Sequence, residues 1–327
     1  MNLNKVFGCI YGLAIGDALG FPNEFIDIDS ILLKNNGLGT IDFENLYKER
    51  PIIIGDKKIG GKIEFPAGTY SDDTQMSLAV ARALLNSNLK KYDLEEIMQN
   101  ITKEFISWYN DPTNNRAPGR TCLKGAYKLN NGINWKNSGD ISQKGCGTAM
   151  RSAPIGLIFH NDITKLVEVA SAASKCKHAH PTAVSSGIAT AYLTSLAVNG
   201  INPKQYIDNI LSQPFFNEEM KNKIFQVSEV LALENTLTAR QKLGKGWVGD
   251  EAVALALYCV LKNSADYVKT VLMAANSDGD TDSIACIAGA ISGAYNGIEK
   301  IPAKWVTQIE NSRYLCEIAK NLYHKTK

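Results

Sequence analysis

The stretch that decides the fold is Asn276-Ser277-Asp278-Gly279-Asp280-Thr281-Asp282-Ser283, followed directly by Ile284-Ala285-Cys286-Ile287-Ala288-Gly289-Ala290. Three carboxylates and two hydroxyl groups lie within positions 278–283, and the second part carries no charge. In that second part, apolar residues recur every three to four positions, as on the buried face of a helix. The stretch therefore predicts an acidic loop that opens onto a buried, tightly packed helix.

Two explanations fit this acidic loop. Aspartate and serine are good N-cap residues, and acidic groups suit the positive end of a helix. A cap needs only one or two such residues, however, and three neighbouring carboxylates repel one another unless a cation holds them. Oxygen ligands of this kind are what Mg²⁺ or Mn²⁺ requires. The loop by itself leaves capping and metal binding open.

The composition is typical of an ordinary globular protein. It has 327 residues, of which 45% are hydrophobic and 21% charged, and the net charge is +2. We expect one domain, residues 1–327, with a sizeable core. The small net charge argues against a nucleic-acid partner and a membrane-binding basic arm. No apolar run approaches the ~18 residues of a membrane span, and the N-terminus does not resemble a signal peptide.

The cysteines point to a reducing compartment. There are seven, an odd number, and no two of them form a Cys-x-x-Cys pair. This pattern favours free thiols over a disulfide framework or a zinc site. We therefore expect a cytoplasmic protein, and a monomer.

A second acidic helix opening lies about two hundred residues earlier, at Ser71-Asp72-Asp73-Thr74-Gln75. Asp72 and Gln75 have the spacing of a capping box, which is a structural explanation. The adjacent carboxylates again exceed what a cap needs. If the two openings meet in space, they bring together at least four carboxylates, and two cations ~3.5–4 Å apart are the usual solution.

The rest of the chain is predominantly helical by its periodicity. Residues 5–20 predict a buried helix so rich in glycine and alanine that either another helix or a ligand must approach its backbone. Within it, Asp17 needs a partner, most simply at the end of a neighbouring element. Further helices are predicted over 93–109, 183–197, 203–212, 216–231, 251–264, 265–275 and 305–322. We expect the loops to gather at helix N-termini on one side.

Residues 27–69 are irregular, with six glycines, among them Gly55, Gly60 and Gly61, and two prolines. The run Ile52-Ile53-Ile54 predicts a short strand, and the whole excursion is compatible with a small hairpin. Loops this long in compact folds are usually functional or mobile.

Three other segments carry weaker signals. Arg116-Ala117-Pro118-Gly119-Arg120-Thr121-Cys122 is typical of a turn, or of a loop that lines a ligand. Gly145-Cys146-Gly147-Thr148-Ala149-Met150-Arg151 could expose backbone N–H groups to a phosphate, although it is neither a Walker nor a Rossmann motif. In His178-Ala179-His180-Pro181, contact with a base or phosphate and a plain helix cap remain equally open.

Taken together, five motifs resemble the ADP-ribosylglycohydrolase family, which includes the nitrogenase-reactivating glycohydrolase and the vertebrate ADP-ribosylarginine hydrolase. They are Gly-Leu-Ala-Ile-Gly-Asp-Ala-Leu-Gly (12–20), Ser-Asp-Asp-Thr (71–74), Gly-Cys-Gly-Thr-Ala-Met-Arg (145–151), His-Ala-His-Pro (178–181) and Gly-Asp-Thr-Asp-Ser (279–283). Each is weak alone, but the five in this order are specific and cover almost the whole chain.

The resemblance implies a compact all-α domain with two Mg²⁺ or Mn²⁺ ions at its centre. The implied metal ligands are Ser71, Asp72, Asp73, Asp280, Asp282 and Ser283. Glu24 falls where the family places a glutamate that gates the site, and Glu24 or Asp73 would be the catalytic acid/base. Asp278 has no equivalent role and is expected to be a supporting or surface group.

The resemblance also assigns substrate contacts. The diphosphate would lie on the loop made of Ser142, Gln143, Lys144, Gly145, Cys146 and Gly147. His178 would contact ribose or phosphate, and Gly119 and Thr121 would line the pocket. Some bacterial members have an aspartate near the position of Gly119; here only Asp111 could replace it.

The expected activity is hydrolysis of the N-glycosidic bond between ADP-ribose and an arginine of a modified protein, which would be the partner. Motifs 116–122, 145–151 and 244–249 resemble the arginine-type members. Two alternatives stay open: ADP-ribose linked to serine, an acetyl group or a nucleic-acid base, and a silent relative that binds ADP-ribose or is crystallin-like. An unrelated di-metal phosphohydrolase fits poorly, because its metal sites rely on several histidines and this chain has only four in all.

Overall fold

A computed structural model describes residues 1–49, 52–54, 57–59 and 62–327. Helices dominate these ranges, which confirms the prediction of an all-α protein. The α-helices are α1 (Leu3–Gly20), α2 (Ile28–Gly37), α3 (Asp72–Asn86), α4 (Leu94–Asn110), α5 (Arg120–Asn130), α6 (Trp135–Ser138), α7 (Ala153–Ile158), α8 (Ile163–Lys175), α9 (Pro181–Val198), α10 (Tyr206–Leu211), α11 (Glu218–Val230), α12 (Thr236–Leu243), α13 (Gly249–Lys262), α14 (Tyr267–Ala275), α15 (Thr281–Asn296), α16 (Ala303–Gln308) and α17 (Ser312–Lys325). Short 3₁₀ helices span Phe21–Asn23, Cys146–Thr148, Pro203–Gln205 and Ile298–Lys300.

Four short strands form the excursion between α2 and α3. β1 (Leu46–Glu49) pairs antiparallel with β4 (Lys62–Phe65), and β2 (Ile52–Ile54) pairs antiparallel with β3 (Lys57–Ile59). The strand predicted at 52–54 and the predicted hairpin are therefore confirmed. Gly55, Gly60 and Gly61 lie outside the described residues.

Helices α1 and α15 pack so closely that their backbones touch. A Cβ atom built on Gly8 would lie 2.2 Å from the carbonyl oxygen of Gly293, and one on Gly12 would lie 2.3 Å from that of Gly289. Further along, a Cβ on Gly16 would lie 2.0 Å from the carbonyl oxygen of Ala285. The partners descend in number as α1 ascends, so the two helices run antiparallel. Of the two explanations for the small residues, helix–helix contact is the one observed.

The centre of the molecule contains helices that are buried on all sides. In α9, every residue from Thr182 to Val198 is buried, and α9 contacts both α13 and α15. Helices α4, α5 and α17 are amphipathic, with their apolar faces turned inward. A helix buried on every side belongs at the core, and an amphipathic one belongs at the periphery.

Two sequence predictions about secondary structure were wrong. Residues 28–33 form regular helix rather than irregular chain, because the Asp27 side chain accepts from the backbone N–H of Ser30 at 2.9 Å and caps it; Asn35 and Asn36, with φ angles of 50° and 59°, interrupt the helix before Gly37. The predicted C-terminal helix 305–322 is two helices, α16 and α17. Asn311, with a left-handed φ of 53°, separates them.

Candidate active site

Asp17 joins α1 to the beginning of α3. Its buried carboxylate accepts hydrogen bonds from the backbone N–H of Ser71 and of Thr74, both at 2.9 Å, and from the Thr74 hydroxyl at 2.6 Å. Burial raises the pKa of Asp17 to about 6, although these hydrogen bonds favour its ionised form. The prediction that Asp17 pairs with the end of another element is confirmed.

The first acidic opening is capped by Ser71, whose Oγ accepts from the backbone N–H of Asp73 at 3.2 Å. The capping box predicted between Asp72 and Gln75 was wrong, because Gln75 instead accepts a hydrogen bond from the Trp108 indole at 3.2 Å. Ser71, Asp72 and Asp73 are all buried. Since Ser71 caps α3, the two aspartates are not needed for that purpose.

The second acidic opening is held from several directions. Thr281 donates its hydroxyl hydrogen bond to the carbonyl of Gly20 at 2.8 Å, which ties α15 to the end of α1. The Asp280 backbone N–H donates to the carbonyl of Lys245 at 2.8 Å. Asp280 stands at the N-cap position, yet its side chain makes no capping hydrogen bond. Its carboxylate accepts from the Cys146 thiol at 3.1 Å.

Both acidic openings face one pocket of about 540 Å³, a volume typical of small-molecule sites. The beginnings of α3, α5, α13 and α15 meet here, together with the Cys146–Thr148 turn and the segment before α9. The lining residues are Glu24, Phe25, Asp72, Asp73, Ala117, Pro118, Gly119, Arg120, Thr121, Cys122, Gln143, Gly145, Cys146, Gly147, Met150, His178, Trp247, Asp280, Asp282 and Ser283.

The buried carboxyl groups of the pocket have raised pKa values. Burial raises the pKa of Asp72 and of Asp73 well above the usual aspartate range, and the charge of Asp282 raises both further. Burial also raises the pKa of Asp280, with the charge of Glu24 adding to the effect. Carboxylates in this situation are stabilised either by protonation or by a cation.

The oxygen atoms of this cluster fit hard divalent cations. Oδ2 of Asp73 is buried and has no hydrogen-bond partner among the described residues. Those residues contain no three Asp, Glu, His or Cys side chains already arranged around a metal position. The two ions therefore remain a prediction, supported by the donor chemistry.

The two histidines of the His-x-His motif have different roles. His180 is the N-cap of α9, and its Nδ1 accepts from the backbone N–H of Thr182 at 3.2 Å. His178 is buried in the pocket wall, where a Cβ on Gly147 would come within 2.8 Å of its ring. Burial lowers the pKa of His178 well below its usual value, and the charges of Arg151 and Lys177 act in the same direction. His178 is thus a neutral imidazole.

Most of the predicted substrate residues reach the pocket, but two do not. Gly119, Thr121, Gln143, Gly145, Cys146, Gly147 and His178 line it. Ser142 is turned toward Asp140, to which its hydroxyl donates at 2.7 Å. Lys144 forms an ion pair with Glu219 at 2.9 Å. Neither Ser142 nor Lys144 belongs to the pocket wall.

Two other aspartates named from the sequence lie away from the wall. Asp278 forms an ion pair with Lys245 at 3.0 Å, as expected of a supporting or surface group. Asp111 is exposed and accepts hydrogen bonds from the backbone and hydroxyl of Thr113. Ser71 is also absent from the wall, since it lies beneath the start of α3.

Two aromatic residues that were not predicted from the sequence also lie at the pocket. The rings of Phe25 and Trp247 lie 4.7 Å apart between centroids, and both line the pocket. The glycine-flanked segment Gly244-Lys245-Gly246-Trp247-Val248-Gly249 was a signal for Trp247. For Phe25 the only signal was its position next to Glu24.

A family model for ADP-ribosylglycohydrolase matches residues 2–327 of this chain. The chain belongs to the ADP-ribosylglycohydrolase family. The chain is 26% identical to ADP-ribosylarginine hydrolase Tri1 of Pseudomonas putida (strain GB-1) over 331 residues, which cover 99% of this chain and 79% of that protein. It is 25% identical to ADP-ribosylhydrolase ARH3 of Homo sapiens over 367 residues, covering 98% of this chain and 93% of that one.

A solved structure described as an ADP-ribosylglycohydrolase-related protein complex has the same fold. Its TM-score to this chain is 0.76 at 21% identity, and the match covers 99% of both chains. No helix in the described ranges is long and apolar enough to cross a bilayer.

Proposed function

We propose that this protein releases ADP-ribose from a modified protein by hydrolysing the N-glycosidic bond to an arginine side chain. Its cofactors would be two Mg²⁺ or Mn²⁺ ions. The observation that carries the proposal is that the two acidic openings, 71–73 and 280–283, meet in one pocket with the glycine loop and a neutral histidine. A pocket lined by carboxylates, by a glycine-containing loop and by a histidine fits a ribose joined to a diphosphate.

The ions would be held by the side chains of the two openings. Asp72, Asp73, Asp280, Asp282 and Ser283 line the pocket, and Ser71, which is buried, precedes Asp72 and Asp73 in the first opening. When bound, two such ions hold a ribose diol and lower the pKa of a water molecule toward neutrality.

The protein's own groups supply the rest of the chemistry. Loss of the substituent from the anomeric carbon leaves oxocarbenium character, which neighbouring carboxylates stabilise. Glu24 lies half-buried at the pocket, outside both openings, and is our choice over Asp73 for transfer of a proton, because Asp73 is assigned to a metal. His178, being neutral, can donate a hydrogen bond to the diphosphate without adding charge.

The arginine linkage has the support of relatives whose names include ADP-ribosylarginine hydrolase, Tri1 of Pseudomonas putida among them. ADP-ribosylhydrolase ARH3 of Homo sapiens, whose name specifies no linkage, is similar to almost the same degree, so a linkage other than arginine, such as one through serine or an acetyl group, is the second candidate. Release of ADP-ribose from arginine-, serine- and acetyl-linked substrates should be compared at equal enzyme concentration. Faster release from a serine or acetyl linkage would replace the arginine assignment.

The site assignment is tested by a double variant, Asp280→Ala with Asp282→Ala. It should abolish ADP-ribose release from a modified arginine protein while the circular dichroism spectrum stays helical. Undiminished release would reject these residues as the active site. Calorimetry with Mn²⁺ tests the silent-relative alternative: if the wild-type chain binds no divalent ion and releases no ADP-ribose, it is an ADP-ribose-binding or structural relative.

A further inference from the structure

An aromatic pair lies at the edge of the pocket next to Glu24. Trp247 exposes 56% of its surface, and Phe25 is half-buried. The two ring planes meet at 47° with their centroids 4.7 Å apart. An indole that remains this exposed contributes little to the core, so its position calls for another explanation.

The backbone holds this pair firmly against the catalytic cluster. The Phe25 N–H donates to the carbonyl of Gly279 at 2.8 Å, immediately before Asp280. The carbonyl of Trp247 accepts from the N–H of Cys146 at 3.3 Å. The backbones of both residues are therefore hydrogen-bonded to segments that contain pocket residues.

Phe25 also has a backbone conformation that non-glycine residues rarely adopt. Its φ is 62°, in the left-handed region, and such conformations cost free energy and concentrate at functional sites. The conformation places its aromatic ring beside Trp247, directly after Glu24. The strain is consistent with a requirement for the ring at this place.

The chemistry around the pair favours a planar cation. Aromatic faces attract guanidinium groups because of the negative potential over the ring. The carboxylate of Glu24 lines the pocket beside the pair and is not assigned to a metal ion. A neutral flat group such as adenine would gain from the rings but not from this charge.

We propose that Phe25 and Trp247 form the leaving-group subsite, in which the guanidinium of the modified arginine stacks against Trp247 beside Glu24. This inference rests on the proposed hydrolysis of the arginine linkage and names the residues that select it. The subsite would discriminate against a serine linkage, whose hydroxyl leaving group offers neither a flat face nor a positive charge.

The test combines two measurements on Trp247→Ala, Trp247→Phe and Phe25→Leu. The first is kcat/KM for ADP-ribosylated arginine, and the second is the Kd of ADP-ribose, which lacks the guanidinium. We expect Trp247→Ala to lower kcat/KM about tenfold, within the range of cation–π interactions, and to leave the ADP-ribose Kd within about twofold. Trp247→Phe should retain most of the activity, because a ring remains. Phe225→Ala, at an aromatic residue of α11 that is 53% exposed, is the matched control.

The possible outcomes separate this inference from the proposed function. If wild-type enzyme cleaves the arginine linkage and Trp247→Ala is equally active, the leaving-group subsite is rejected and the function stands. If Trp247→Ala weakens ADP-ribose binding as much as it lowers kcat/KM, the pair binds adenine instead. If the wild-type enzyme does not cleave the arginine linkage at all, the proposed function fails, and this subsite fails with it.

Discussion

Gly16 of α1 and Ala285 of α15 are in contact through their backbones: a Cβ on Gly16 would lie 2.0 Å from the Ala285 carbonyl oxygen. One residue after Gly16 stands Asp17, which organises the beginning of α3, and five residues before Ala285 stands Asp280. This one helix contact thus sets the separation of the two acidic openings. Packing inside the core and geometry of the pocket depend on the same glycine.

Gly16→Ala should destabilise the protein. In an isolated helix alanine is favoured over glycine by about 1 kcal/mol, but here the added methyl group meets a backbone carbonyl that cannot move away alone. Overpacking of this kind typically costs about 1–3 kcal/mol, and we expect the upper end of that range in the free energy of unfolding from urea titration.

A second variant shows whether the backbone is responsible for that loss. Because the clash is with the Ala285 carbonyl and not with its side chain, adding Ala285→Gly should not restore stability. Recovery in the double variant would mean that side-chain volume, not backbone contact, limits the approach of α1 to α15.

The glycines of the 145–147 loop should differ in their tolerance of a methyl group. A Cβ on Gly147 would lie 2.7 Å from the Cys122 sulfur and 2.8 Å from the His178 ring, whereas the nearest atom to a Cβ on Gly145 is 3.0 Å away. Gly147→Ala should therefore displace His178 or the loop and weaken ADP-ribose binding about tenfold or more, equivalent to about 1.4 kcal/mol.

Gly145→Ala should have the smaller effect, and calorimetric titration with ADP-ribose gives the comparison directly. Thermal unfolding of both variants shows whether the loop changes locally or the whole protein is affected. An equal or reversed order of the two affinities would contradict the packing of this loop against His178.

The parts of the fold that could be predicted from the sequence are those that leave a periodic pattern of residues. Gly8, Gly12 and Gly16 recur every fourth residue, which indicates a helix whose one face admits close contact. Likewise, aspartates placed just before an apolar helical pattern located both acidic openings. Their meeting in one pocket could be anticipated because so many carboxylates need a common counter-charge.

Other features could not be predicted because they depend on tertiary contacts between distant residues. Ser142 and Lys144 are two residues apart on a loop, and only their partners Asp140 and Glu219 turn them from the pocket. Lys177 gave no sign of burial, since lysine is almost always exposed. Nothing in the spacing of Phe25 and Trp247 indicates that their rings meet.

Lys177 should make stability depend on pH in a recognisable way. Its ammonium group is fully buried, with the ring centroids of Phe105 and Trp108 at 4.0 and 4.4 Å and the sulfur of Met76 at 3.4 Å. Among the described residues no carboxylate forms an ion pair with it. Burial lowers the pKa of Lys177 to about 7, while nearby Cys122 opposes this shift and the charge of Arg151 adds to it.

Between pH 7 and 8.5 the unfolded chain keeps the lysine proton and the native protein loses it. Raising the pH in this window therefore stabilises the native state, by at most about 1.4 kcal/mol per pH unit. The free energy of unfolding of the wild type, measured relative to that of Lys177→Met, should therefore rise as the pH is raised through this window. Lys175→Met, at an exposed lysine two residues away, is the control for the loss of a lysine from the same segment. A flat difference for Lys177→Met would show that its amine keeps the same charge in both states.

Asp278 and Asp280 are aspartates two residues apart and oppositely placed, which makes them a matched pair for the metal hypothesis. Asp278 pairs with Lys245, whose side chain is 62% exposed, and exposed ion pairs contribute about 0–1 kcal/mol. Asp280 is buried, lines the pocket and accepts from Cys146.

If Asp280 is a metal ligand, Asp280→Asn removes a charge whose loss costs several kcal/mol of transition-state stabilisation, so kcat/KM should fall by more than about a hundredfold. Mn²⁺ affinity measured by calorimetry should fall with it. Asp278→Asn should keep kcat/KM and Mn²⁺ affinity within about fivefold, because an exposed ion pair is worth at most about 1 kcal/mol. Equal losses in the two variants would mean that the loop's total charge, rather than the position of Asp280, holds the ion.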